Sequence, residues 1–571
     1  MAEYPWFRHY DAGVPRTLEP YPDKTLFEDV ADVAKVKPDH RMIWFKGRWM
    51  SYKEIDRLSD VLAAGLANIG VKKGDRVVML LPNSPNIVIS QLAIWKAGAI
   101  SVPINPLYSE AELEFALNEC GAEVAIVLTA FYGLAKRIQP RTSLRRIVAT
   151  SVKEYLSPFL KFMFTLLVEK KQGQYLQSVQ DNDLWLQELM KKHAGDKKPD
   201  VKVTGKDTGL LLFSGGTTGT PKAVMVSHEA ILMIGRQVHC WSTPLSTDWV
   251  DTLVLLMPFF HVYGNVGLLS TAIAGRFPTA LIANPRDLDD VLATIKKLKP
   301  AFFPAISAIF IGLMSRPEVI SGKIDFKSMK SSVAAGAPLL PETKRQWEAI
   351  TGGKIVETYG LTESGVLAMG PYLGKWKEGA VGLPIPDTVI KIVDIDTGKK
   401  ELKPGETGEI IAKAPQLMQG YWNNPEATEE MLRDGWLYTG DVGHLDEDGY
   451  LFITSRKKEL IKPSGHQVFP IEIEEIISQH PAVLEVGVAG VPDAAQGEAV
   501  KAWIVLRPEK PCTEEEIQVF CRGKLTAYKV PKHVEFREAL PKSLVGKVLR
   551  RVLQEEHRAE MRKNGRISVN V

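Results

Sequence analysis

Cysteine is scarce in this sequence, with four residues in a chain of 571. Cys120, Cys240, Cys512 and Cys521 lie far apart, and none has the CxxC spacing of a zinc or redox site. So few cysteines in so long a chain are typical of a reducing compartment, where disulfides rarely persist. We therefore expect these four residues to occupy the core or neutral surface positions.

The chain also lacks a strong charge of either sign. Its formal net charge is +3, and no block of Lys and Arg with interleaved aromatic residues appears, which argues against nucleic-acid binding. Residues 1–26 carry charges and prolines but no long apolar core, so they predict neither a secretion signal nor a membrane anchor. We expect a cytoplasmic protein. Its length and its hydrophobic content of 45% predict at least two packed domains.

Two common catalytic motifs are absent. Because no Gly-x-Ser-x-Gly elbow occurs, the sequence does not indicate a nucleophilic serine of the hydrolase kind. The Gly-Lys-Ser/Thr ending of a P-loop is missing as well, since Pro221 precedes the lysine of the one long glycine-rich loop. Any phosphate site must therefore be built in another way.

That glycine-rich loop lies between two strand-like runs, 210–213 and 223–226. Its glycines allow successive backbone N–H groups to point at one anion, its hydroxyls add donors, and its lysine adds positive charge. A flexible surface turn is the plainer alternative, but such turns rarely follow a buried strand directly. The sequence predicts a clamp on polyphosphate carried by a hairpin and formed by Ser214, Gly215, Gly216, Thr217, Thr218, Gly219, Thr220 and Lys222.

Ahead of this loop, apolar runs of strand length alternate with stretches of helical periodicity. We predict strands at 77–81, 99–102 and 124–128 and helices at 87–96 and 111–118, and a further strand at 253–257 after the loop. Such alternation is typical of right-handed βαβ units, and it predicts an α/β fold with a mostly parallel sheet and helices on both faces.

An irregular insertion occupies residues 152–200. Its segment 156–168 is strongly apolar, but it is too short to span a bilayer core of about 30 Å. Two interpretations stay open. The segment forms part of a helical hairpin packed on the core, or residues 155–171 form an amphipathic surface that touches a membrane.

Taken together, these motifs resemble the adenylate-forming superfamily, which contains acyl-CoA synthetases, aryl-CoA ligases, nonribosomal peptide adenylation domains and beetle luciferases. The resemblance extends over about residues 51–551 and rests on the 214–222 loop and on segments 331–338, 356–363, 436–441, 455–462 and 541–551. Gly215, Ala223 and Glu459 depart from the commonest residues of the family. The resemblance implies an α/β fold with a large N-terminal domain (1–457) and a small mobile α+β domain (458–571). Doubly wound mixed sheets and a small β-barrel-like subdomain are expected in the first.

The resemblance assigns ATP-binding roles to residues beyond the glycine-rich loop. Asp441 is expected to accept the ribose hydroxyls, while Arg456 and Lys462 meet phosphate or ribose oxygens. Glu363, a hard oxygen donor and the best candidate for magnesium, is expected to hold Mg²⁺ together with the Ser214 hydroxyl. The adenine pocket and its neighbours are expected at Gly336, Ala337, Pro338, Glu357, Thr358, Tyr359, Gly360 and Thr362.

Other roles concern catalysis, the acyl group and the thiol. Lys547, His261, Glu363 and Thr362 are the expected catalytic residues, with His261 beside the acyl carboxylate. Trp241 is expected in the wall of an acyl tunnel. Lys458 is the expected hinge, and Gly465 and Gln467 are expected to face the CoA side.

The function that these resemblances imply is an AMP-forming ligase that joins a medium- or long-chain fatty acid to CoA with ATP and Mg²⁺. The opening of the chain and its apolar insertion resemble bacterial long-chain fatty acyl-CoA synthetases. Peripheral contact with the inner face of a membrane through 155–171 and a homodimer are both compatible with this prediction.

Three other functions stay open. An aryl-CoA ligase is the nearest, because residues 458–468 also resemble the plant hydroxycinnamate enzymes. A luciferase-like monooxygenase and a fatty-acid transport protein are more remote. No phosphopantetheine-bearing serine motif follows, which argues against a peptide synthetase module.

Overall fold

The computed structural model describes residues 3–214, 221–336, 339, 341–493, 495–542 and 548–563. Its strands, in chain order, are β1 (Arg41–Phe45), β2 (Arg48–Ser51), β3 (Arg76–Leu80), β4 (Ile100–Pro103), β5 (Val124–Leu128), β6 (Arg146–Thr150), β7 (Leu184–Trp185), β8 (Thr208–Phe213), β9 (Ala223–Ser227), β10 (Leu253–Leu255), β11 (Thr279–Leu281), β12 (Phe302–Ala305), β13 (Ser331–Ala334), β14 (Lys354–Leu361), β15 (Gly365–Met369), β16 (Ala380–Pro384), β17 (Val389–Val393), β18 (Gly408–Lys413), β19 (Gly420–Tyr421), β20 (Leu432–Arg433), β21 (Trp436–Leu445), β22 (Leu451–Arg456), β23 (Val483–Asp493), β24 (Gly497–Leu506) and β25 (His533–Phe536).

Helices connect most of these strands, and a π-helical segment (Tyr263–Leu269) precedes α9. The α-helices are α1 (Leu26–Val36), α2 (Tyr52–Asn68), α3 (Pro85–Lys96), α4 (Glu110–Cys120), α5 (Thr129–Ile138), α6 (Pro158–Leu167), α7 (Leu186–Lys192), α8 (His228–Ser242), α9 (Ser270–Ala274), α10 (Leu288–Leu298), α11 (Ser307–Met314), α12 (Pro317–Ile320), α13 (Pro341–Thr351), α14 (Pro425–Met431), α15 (Pro470–Ser478), α16 (Glu514–Arg522) and α17 (Arg550–Lys563).

The chain forms two compact units. The first contains the described residues of 3–214, 221–389 and 413–437, and the second contains those of 390–412 and 438–563. The first unit carries two sheets, and its first sheet has the strand order β19-β9-β8-β4-β3-β5-β6-β7. Strands β3 to β8 run parallel, and β9 returns antiparallel to β8 as the predicted hairpin.

The predicted alternation of strands and helices before the glycine-rich loop is confirmed by α3, α4 and strands β3 to β5. In β5, all five residues are buried, as expected of a parallel strand covered by helices on both faces. Such strands read as unbroken apolar runs, which is why the sequence located them correctly.

Nine strands of the first unit belong to a second sheet, in the order β16-β15-β14-β13-β12-β10-β11-β1-β2. Neighbours from β11 through β14 pair in parallel, and β14, β15 and β16 pair antiparallel. The predicted strand 253–257 is shorter in the structure and ends at Leu255. It ends there because the Met257 carbonyl accepts a side-chain bond from Asn83, and Pro258 has no N–H to donate.

The interpretation of residues 156–168 as part of a hairpin packed on the core is wrong. Helix α6 is present, but none of its ten residues is buried. The apolar pattern predicted a helix correctly, yet a pattern alone does not tell a face covered by the core from a face left exposed.

The second unit contains β17, β18, β21 and β22 as neighbours in that order, and a separate three-stranded sheet, β23-β24-β25. Helices α15 and α16 cover that small sheet through a shared apolar core, which includes Ile473, Val488 and Ile517. The predicted α/β class, with a small α+β part near the C-terminus, is confirmed.

Two expectations concern cysteines and membranes. All four cysteines are free, and three of them (Cys120, Cys240 and Cys521) are buried, as predicted. Among the described helices, none combines the length and the apolar character that crossing a bilayer requires.

Candidate active site

An apolar cavity lies in the first unit, between α8, the π-helical segment and the second sheet. None of the described residues that line it is charged. A cavity of this composition suits an apolar ligand. The lining residues are Val238, Ser242, Leu253, Tyr263, Gly267, Leu268, Thr271, Phe277, Phe302, Pro304, Val333, Thr358, Val366, Met369 and Tyr372.

The π-helical segment packs tightly against the loop before it. A Cβ on Gly264 would lie 2.4 Å from the carbonyl oxygens of Met257 and Pro258, so only glycine fits there. One turn later, Gly267 lines the cavity, and a Cβ on it would meet the Tyr263 ring at 3.5 Å and the Val262 carbonyl oxygen at 3.8 Å, both ordinary contact distances. Segments of this kind are frequent at functional sites.

His261 lies in the loop that enters the π-helical segment. The Tyr263 backbone N–H donates to His261 Nδ1 at 3.2 Å. Burial lowers the pKa of His261 to about 4, so the ring is neutral at physiological pH. Because Nδ1 accepts a bond, the proton of the neutral ring lies on Nε2, which leaves His261 a hydrogen-bond donor toward a ligand.

Trp241 differs from its expected place in a tunnel wall. Its indole is buried, donates to the Gly370 carbonyl at 2.9 Å and packs edge-on against Tyr10 at 4.8 Å. The cavity is instead lined by Val238 and Ser242, on either side of it in α8. The sequence indicated an aromatic residue near the cavity, but it did not show which face of α8 lines that cavity.

Ser214 and Lys222 close the two ends of the hairpin that carries the glycine-rich loop. The Ser214 N–H donates to the Lys222 carbonyl at 2.9 Å, and the Lys222 N–H donates to the Ser214 hydroxyl at 3.3 Å. These bonds fix the base of the loop. The other predicted members of the clamp, Gly215, Gly216, Thr217, Thr218, Gly219 and Thr220, lie outside the described residues.

Tyr421 connects this hairpin to Glu363. The Lys222 ammonium lies 4.9 Å from the centre of the Tyr421 ring, and the Tyr421 hydroxyl donates to Glu363 Oε1 at 2.8 Å. Burial and the Glu363 carboxylate raise the pKa of Tyr421, so the hydroxyl stays a donor. Strand β19 places Tyr421 by pairing it with Val224 of β9.

No role was predicted for Tyr421. It stands 58 residues from Glu363 in sequence, so only folding brings the two together. The one signal in the sequence was the Gly420-Tyr421-Trp422 string beside the β-rich segment, and read alone it indicates no chemistry.

The candidate adenine residues lie where β13 and β14 end. The two strands run parallel, with Ala334 opposite Glu357, so both lead to the same edge of the sheet. Gly336 has a φ of +82°, a conformation that glycine adopts without strain. Ala337 and Pro338, the other members predicted after β13, lie outside the described residues.

The second half of β14 carries the remaining adenine candidates. Tyr359 is buried, and the Thr358 hydroxyl donates to the Ala368 carbonyl at 3.0 Å. Thr358 also lines the apolar cavity, so this strand brings the predicted nucleotide side and the cavity together. A Cβ on Gly360 would lie 1.8 Å from the Gly365 carbonyl oxygen, which again permits only glycine. Thr362 follows in the turn toward Glu363.

Glu357 has an unusual electrostatic environment. Burial raises its pKa to about 7, although the nearby Lys344 ammonium and the Leu339 N–H oppose that rise. Lys344 is itself buried, its pKa is lowered by burial, and its ammonium lies 4.0 Å from the centre of the Trp376 ring. Lys344 was not predicted as a site residue, although it lies on the same buried face of α13 as Trp347 and Thr351.

In the second unit, the structure brings Asp441 and Arg456 together. They are directly opposite each other in the antiparallel pair β21–β22, and Arg456 Nε lies 3.1 Å from Asp441 Oδ1. The Asp441 N–H also donates to the Thr439 hydroxyl at 3.1 Å. The guanidinium holds the buried carboxylate in a fixed orientation.

The predicted hinge and CoA-side residues follow β22. Lys458 lies in a 3-10 turn (Lys457–Glu459), and its side chain is exposed. Lys462 begins a tight turn whose base is the Ile461–Val468 pair, and its N–H donates to Glu498 at 2.7 Å. Gly465, with a φ of +84°, and the exposed Gln467 lie in the same turn. Lys547 lies outside the described residues.

Magnesium fits the residues that the first unit supplies. No cluster of three or more His, Cys, Asp or Glu suited to a metal occurs among the described residues. Mg²⁺ needs no such cluster, since it is usually held by one or two protein ligands together with substrate phosphates and water. Glu363, fixed through its Oε1 by Tyr421, and the Ser214 hydroxyl are hard oxygen donors of the required kind.

Comparison with known families and proteins gives a consistent result. The AMP-binding enzyme family matches residues 30–422, and the AMP-binding enzyme C-terminal domain matches 472–547. The long-chain-fatty-acid–CoA ligase of Bacillus subtilis is 39% identical over 97% of this chain and 98% of its own length. The corresponding ligase of Salmonella typhimurium is 34% identical (97% and 99%), and 4-coumarate–CoA ligase 1 of Solanum tuberosum is 33% identical (89% and 89%).

Solved structures agree with the fold. ATP-bound MatB from Rhodopseudomonas palustris has a TM-score of 0.81 at 26% identity, covering 94% of this chain and 99% of its own. The anthranilate CoA ligase AuaEII in complex with anthranoyl-AMP has a TM-score of 0.80 at 26% identity (94% and 98%). The resemblance predicted from the sequence motifs is thereby confirmed.

Proposed function

The chain belongs to the AMP-binding enzyme family, and we propose that it is an AMP-forming ligase that joins a long- or medium-chain fatty acid to CoA. The observation that carries the choice of substrate is the apolar cavity with no charged residue in its described lining, next to the loop of neutral His261. An uncharged cavity takes up methylene groups favourably, at about 0.8 kcal/mol each. The similarity to long-chain ligases supports the same choice.

In the first half-reaction, a carboxylate oxygen of the fatty acid attacks the α-phosphorus of ATP, and pyrophosphate leaves. His261 Nε2 donates to the carboxylate and orients it, while Lys222 and the loop it closes hold the polyphosphate. Asp441 holds the ribose, the β13 and β14 ends bind adenine, and Lys547 offsets the charge that develops at phosphorus. Magnesium, held by Glu363 and Ser214, would supply further positive charge against the phosphate oxygens.

In the second half-reaction, the CoA sulfur attacks the acyl carbon. The bond between that carbon and the AMP oxygen breaks, AMP leaves, and the thiol proton passes to water. Lys547 has no role in this step. We therefore propose that residues 458–571 move about Lys458 between the two steps, so that Lys547 withdraws and the thiol approaches along Gly465 and Gln467.

The test is to measure AMP and pyrophosphate release with palmitate, octanoate, benzoate and coumarate, each with and without CoA. AMP release that depends on CoA and favours the aliphatic acids is the expected result. A preference for coumarate or benzoate would support the second candidate, an aryl-CoA ligase, which the similarity to the potato 4-coumarate ligase favours. Light emission with oxygen uptake would indicate a monooxygenase, and binding without turnover would indicate a carrier.

Partners and location complete the proposal. The co-substrates are ATP, CoA and a fatty acid, with Mg²⁺ as the metal. We place the enzyme in the cytoplasm, where peripheral contact with the inner face of a membrane is compatible with a lipid substrate. A homodimer stays a prediction from the family resemblance.

Glu363→Gln should raise the KM for ATP by about 10-fold or more at ordinary Mg²⁺ and be partly rescued by excess Mg²⁺. The amide keeps an oxygen for the Tyr421 hydroxyl but loses the negative charge that favours the metal. The measurement is the KM for ATP across a series of Mg²⁺ concentrations. Tyr421→Phe is the matched control, because it removes the bond and keeps the carboxylate, so its effect should be smaller. An unchanged KM in Glu363→Gln would remove Glu363 from the metal site.

Gly267→Val should reduce kcat/KM for palmitate more than for octanoate. The added carbons enter the cavity, and each methylene that is displaced costs about fourfold in kcat/KM. Gly267→Ala should give a smaller change in the same direction, since a Cβ there meets only ordinary contacts. The measurement is the ratio of kcat/KM values for the two acids. An equal loss for both would mean that the acyl chain does not occupy this cavity.

A further inference from the structure

Helix α6 presents an apolar surface that no part of the described chain covers. Large apolar side chains exposed singly are common on soluble proteins, but five on one ten-residue helix form a contiguous patch. The fractions exposed are 70% for Phe159, 38% for Leu160, 61% for Phe162, 62% for Leu166 and 53% for Leu167.

Contacts on both sides of α6 hold the helix in its exposed position. The Lys153 ammonium lies 2.6 Å from the buried Glu169 carboxylate, so the residues just before and just after the helix are joined by an ion pair. The Ser157 hydroxyl accepts from the Leu160 N–H at the first turn. Both ends of the segment between Lys153 and Glu169 are therefore fixed, and the helix between them is held with its apolar side chains outward.

Cationic and aromatic groups flank the apolar patch. Lys153 and Lys161 are paired with Glu169 and Glu154, whereas Lys170 and Lys171 follow the helix as exposed residues. The Lys170 ammonium lies 5.1 Å from the centre of the Tyr175 ring, which is itself 52% exposed. Apolar side chains bordered by lysines and a tyrosine match the boundary between lipid headgroups and acyl chains, where anionic lipids attract the cations.

The segment that leads to α6 is joined through one loop to the segment that leads to His261. Helix α6 follows the carboxyl end of β6, where Asn86 donates to the Thr150 hydroxyl at 2.8 Å. Three residues earlier, Asn83 donates to the Met257 carbonyl at 2.8 Å and accepts from the Phe259 N–H at 3.2 Å. One short loop thus contacts both the segment that leads to α6 and the segment that leads to His261.

We propose that residues 155–171 dock the protein on an anionic lipid bilayer, with the apolar face of α6 in the headgroup boundary and Lys170 and Lys171 on the headgroups. A second copy of the chain is a less suitable partner for this surface than a bilayer. Stable protein interfaces need about 20–30 residues on each side, whereas a lipid surface accepts one short helix without a complementary shape. Docking would let the enzyme collect its fatty-acid substrate from the bilayer in which the acid dissolves. This benefit to catalysis rests on the proposed function, but the docking itself does not.

The experiment is co-sedimentation of the full chain with vesicles of phosphatidylcholine alone or with about a third phosphatidylglycerol, without ATP or CoA. The chain should bind the anionic vesicles, and Phe162→Asp should lower the partition coefficient by about 10-fold or more, since it places a charge in the boundary. Phe162→Leu should retain binding. Ile320→Asp is the matched control, because Ile320 is 72% exposed on α12, which is not part of residues 155–171. A double change, Lys170→Glu with Lys171→Glu, should weaken binding to the anionic vesicles alone, and added salt should reduce the difference.

Three outcomes would overturn the proposal. The first is a wild-type chain that stays in the supernatant, and the second is equal binding by Phe162→Asp and Ile320→Asp. The third is loss of self-association in Phe162→Asp with no change in vesicle binding, which would make the patch an interface between copies. Turnover of water-soluble octanoate is measured beside each assay and should be unchanged in all variants. Absence of that turnover in the wild type would refute the proposed function and leave the docking result standing.

Discussion

Lys547→Ala should slow formation of the acyl-adenylate by about 10²-fold or more while leaving CoA transfer from supplied acyl-adenylate nearly unchanged. Negative charge crowds at the α-phosphorus and on the departing pyrophosphate only in the first half-reaction. A lysine aimed at those atoms stabilises that transition state alone. Thioester formation involves no pyrophosphate, so the same lysine has nothing to stabilise there.

The residues on either side of Lys547 make this substitution a clean one. Lys542 and Val548 pair with each other as an antiparallel bridge, and the Leu549 N–H donates to the Pro541 carbonyl at 2.8 Å. Val548 also packs on a small apolar core that includes Trp503 and Leu553. Residues 541–542 and 548–549 are thus held by backbone bonds and packing that the substitution does not touch.

The measurement for Lys547→Ala is pyrophosphate release in a single turnover, set against CoA-dependent AMP release from added acyl-adenylate. Lys510→Ala is the control, since Lys510 is exposed and its ammonium donates to the Pro481 carbonyl at 3.5 Å. Equal losses in the two half-reactions would show that Lys547 is not a group specific to adenylation.

The parts of the fold that the sequence predicted are those whose patterns are local. Strand β5 is buried throughout and reads as one apolar run, and the turn at the glycine-rich loop is marked by its composition. The same reasoning failed at α6, where an apolar helix is exposed, because burial is a property of what lies opposite a face. The sequence also predicted β10 to be two residues longer than it is. The Asn83 side chain, which donates to the Met257 carbonyl, is far away in sequence, so the local pattern could not show this contact.

The residues of the candidate site also fall into two groups, those that the sequence could identify and those that it could not. Residues in contiguous motifs, such as Glu357 to Glu363, could be named from the sequence through the family resemblance. Tyr421 and Lys344 could not, since each acts on a motif residue through a contact that exists only after folding. The pairing of Asp441 with Arg456 belongs to both classes. Each residue was predicted separately, and only the register of β21 and β22 joins them.

Lys458→Pro should have the opposite effect to Lys547→Ala, with CoA transfer slowed by an amount of the order of 10²-fold and adenylation largely kept. Lys458 stands between two anchors. Lys457 pairs with Glu409 of β18 at 2.8 Å, and Glu459 pairs with Arg550, which also binds Glu474 of α15 at 2.8 Å. A rotation that carries α15 and α17 away from β18 must therefore change the backbone between these anchors, which points to residue 458.

Proline at this position fixes φ near −65° and so removes one of the two torsions available to the pivot. It should not disturb the conformation described above, because residue 458 is the second of a 3-10 turn, where the backbone N–H has no partner within the turn. Lys458→Ala is the matched control: it removes the same exposed side chain and keeps the torsional freedom, so both half-reactions should proceed at nearly wild-type rates. The measurement is the pair of half-reactions in both variants. If Lys458→Ala impaired CoA transfer as much as Lys458→Pro, the ammonium group would be the functional element, and if neither did, the pivot would lie elsewhere in the chain.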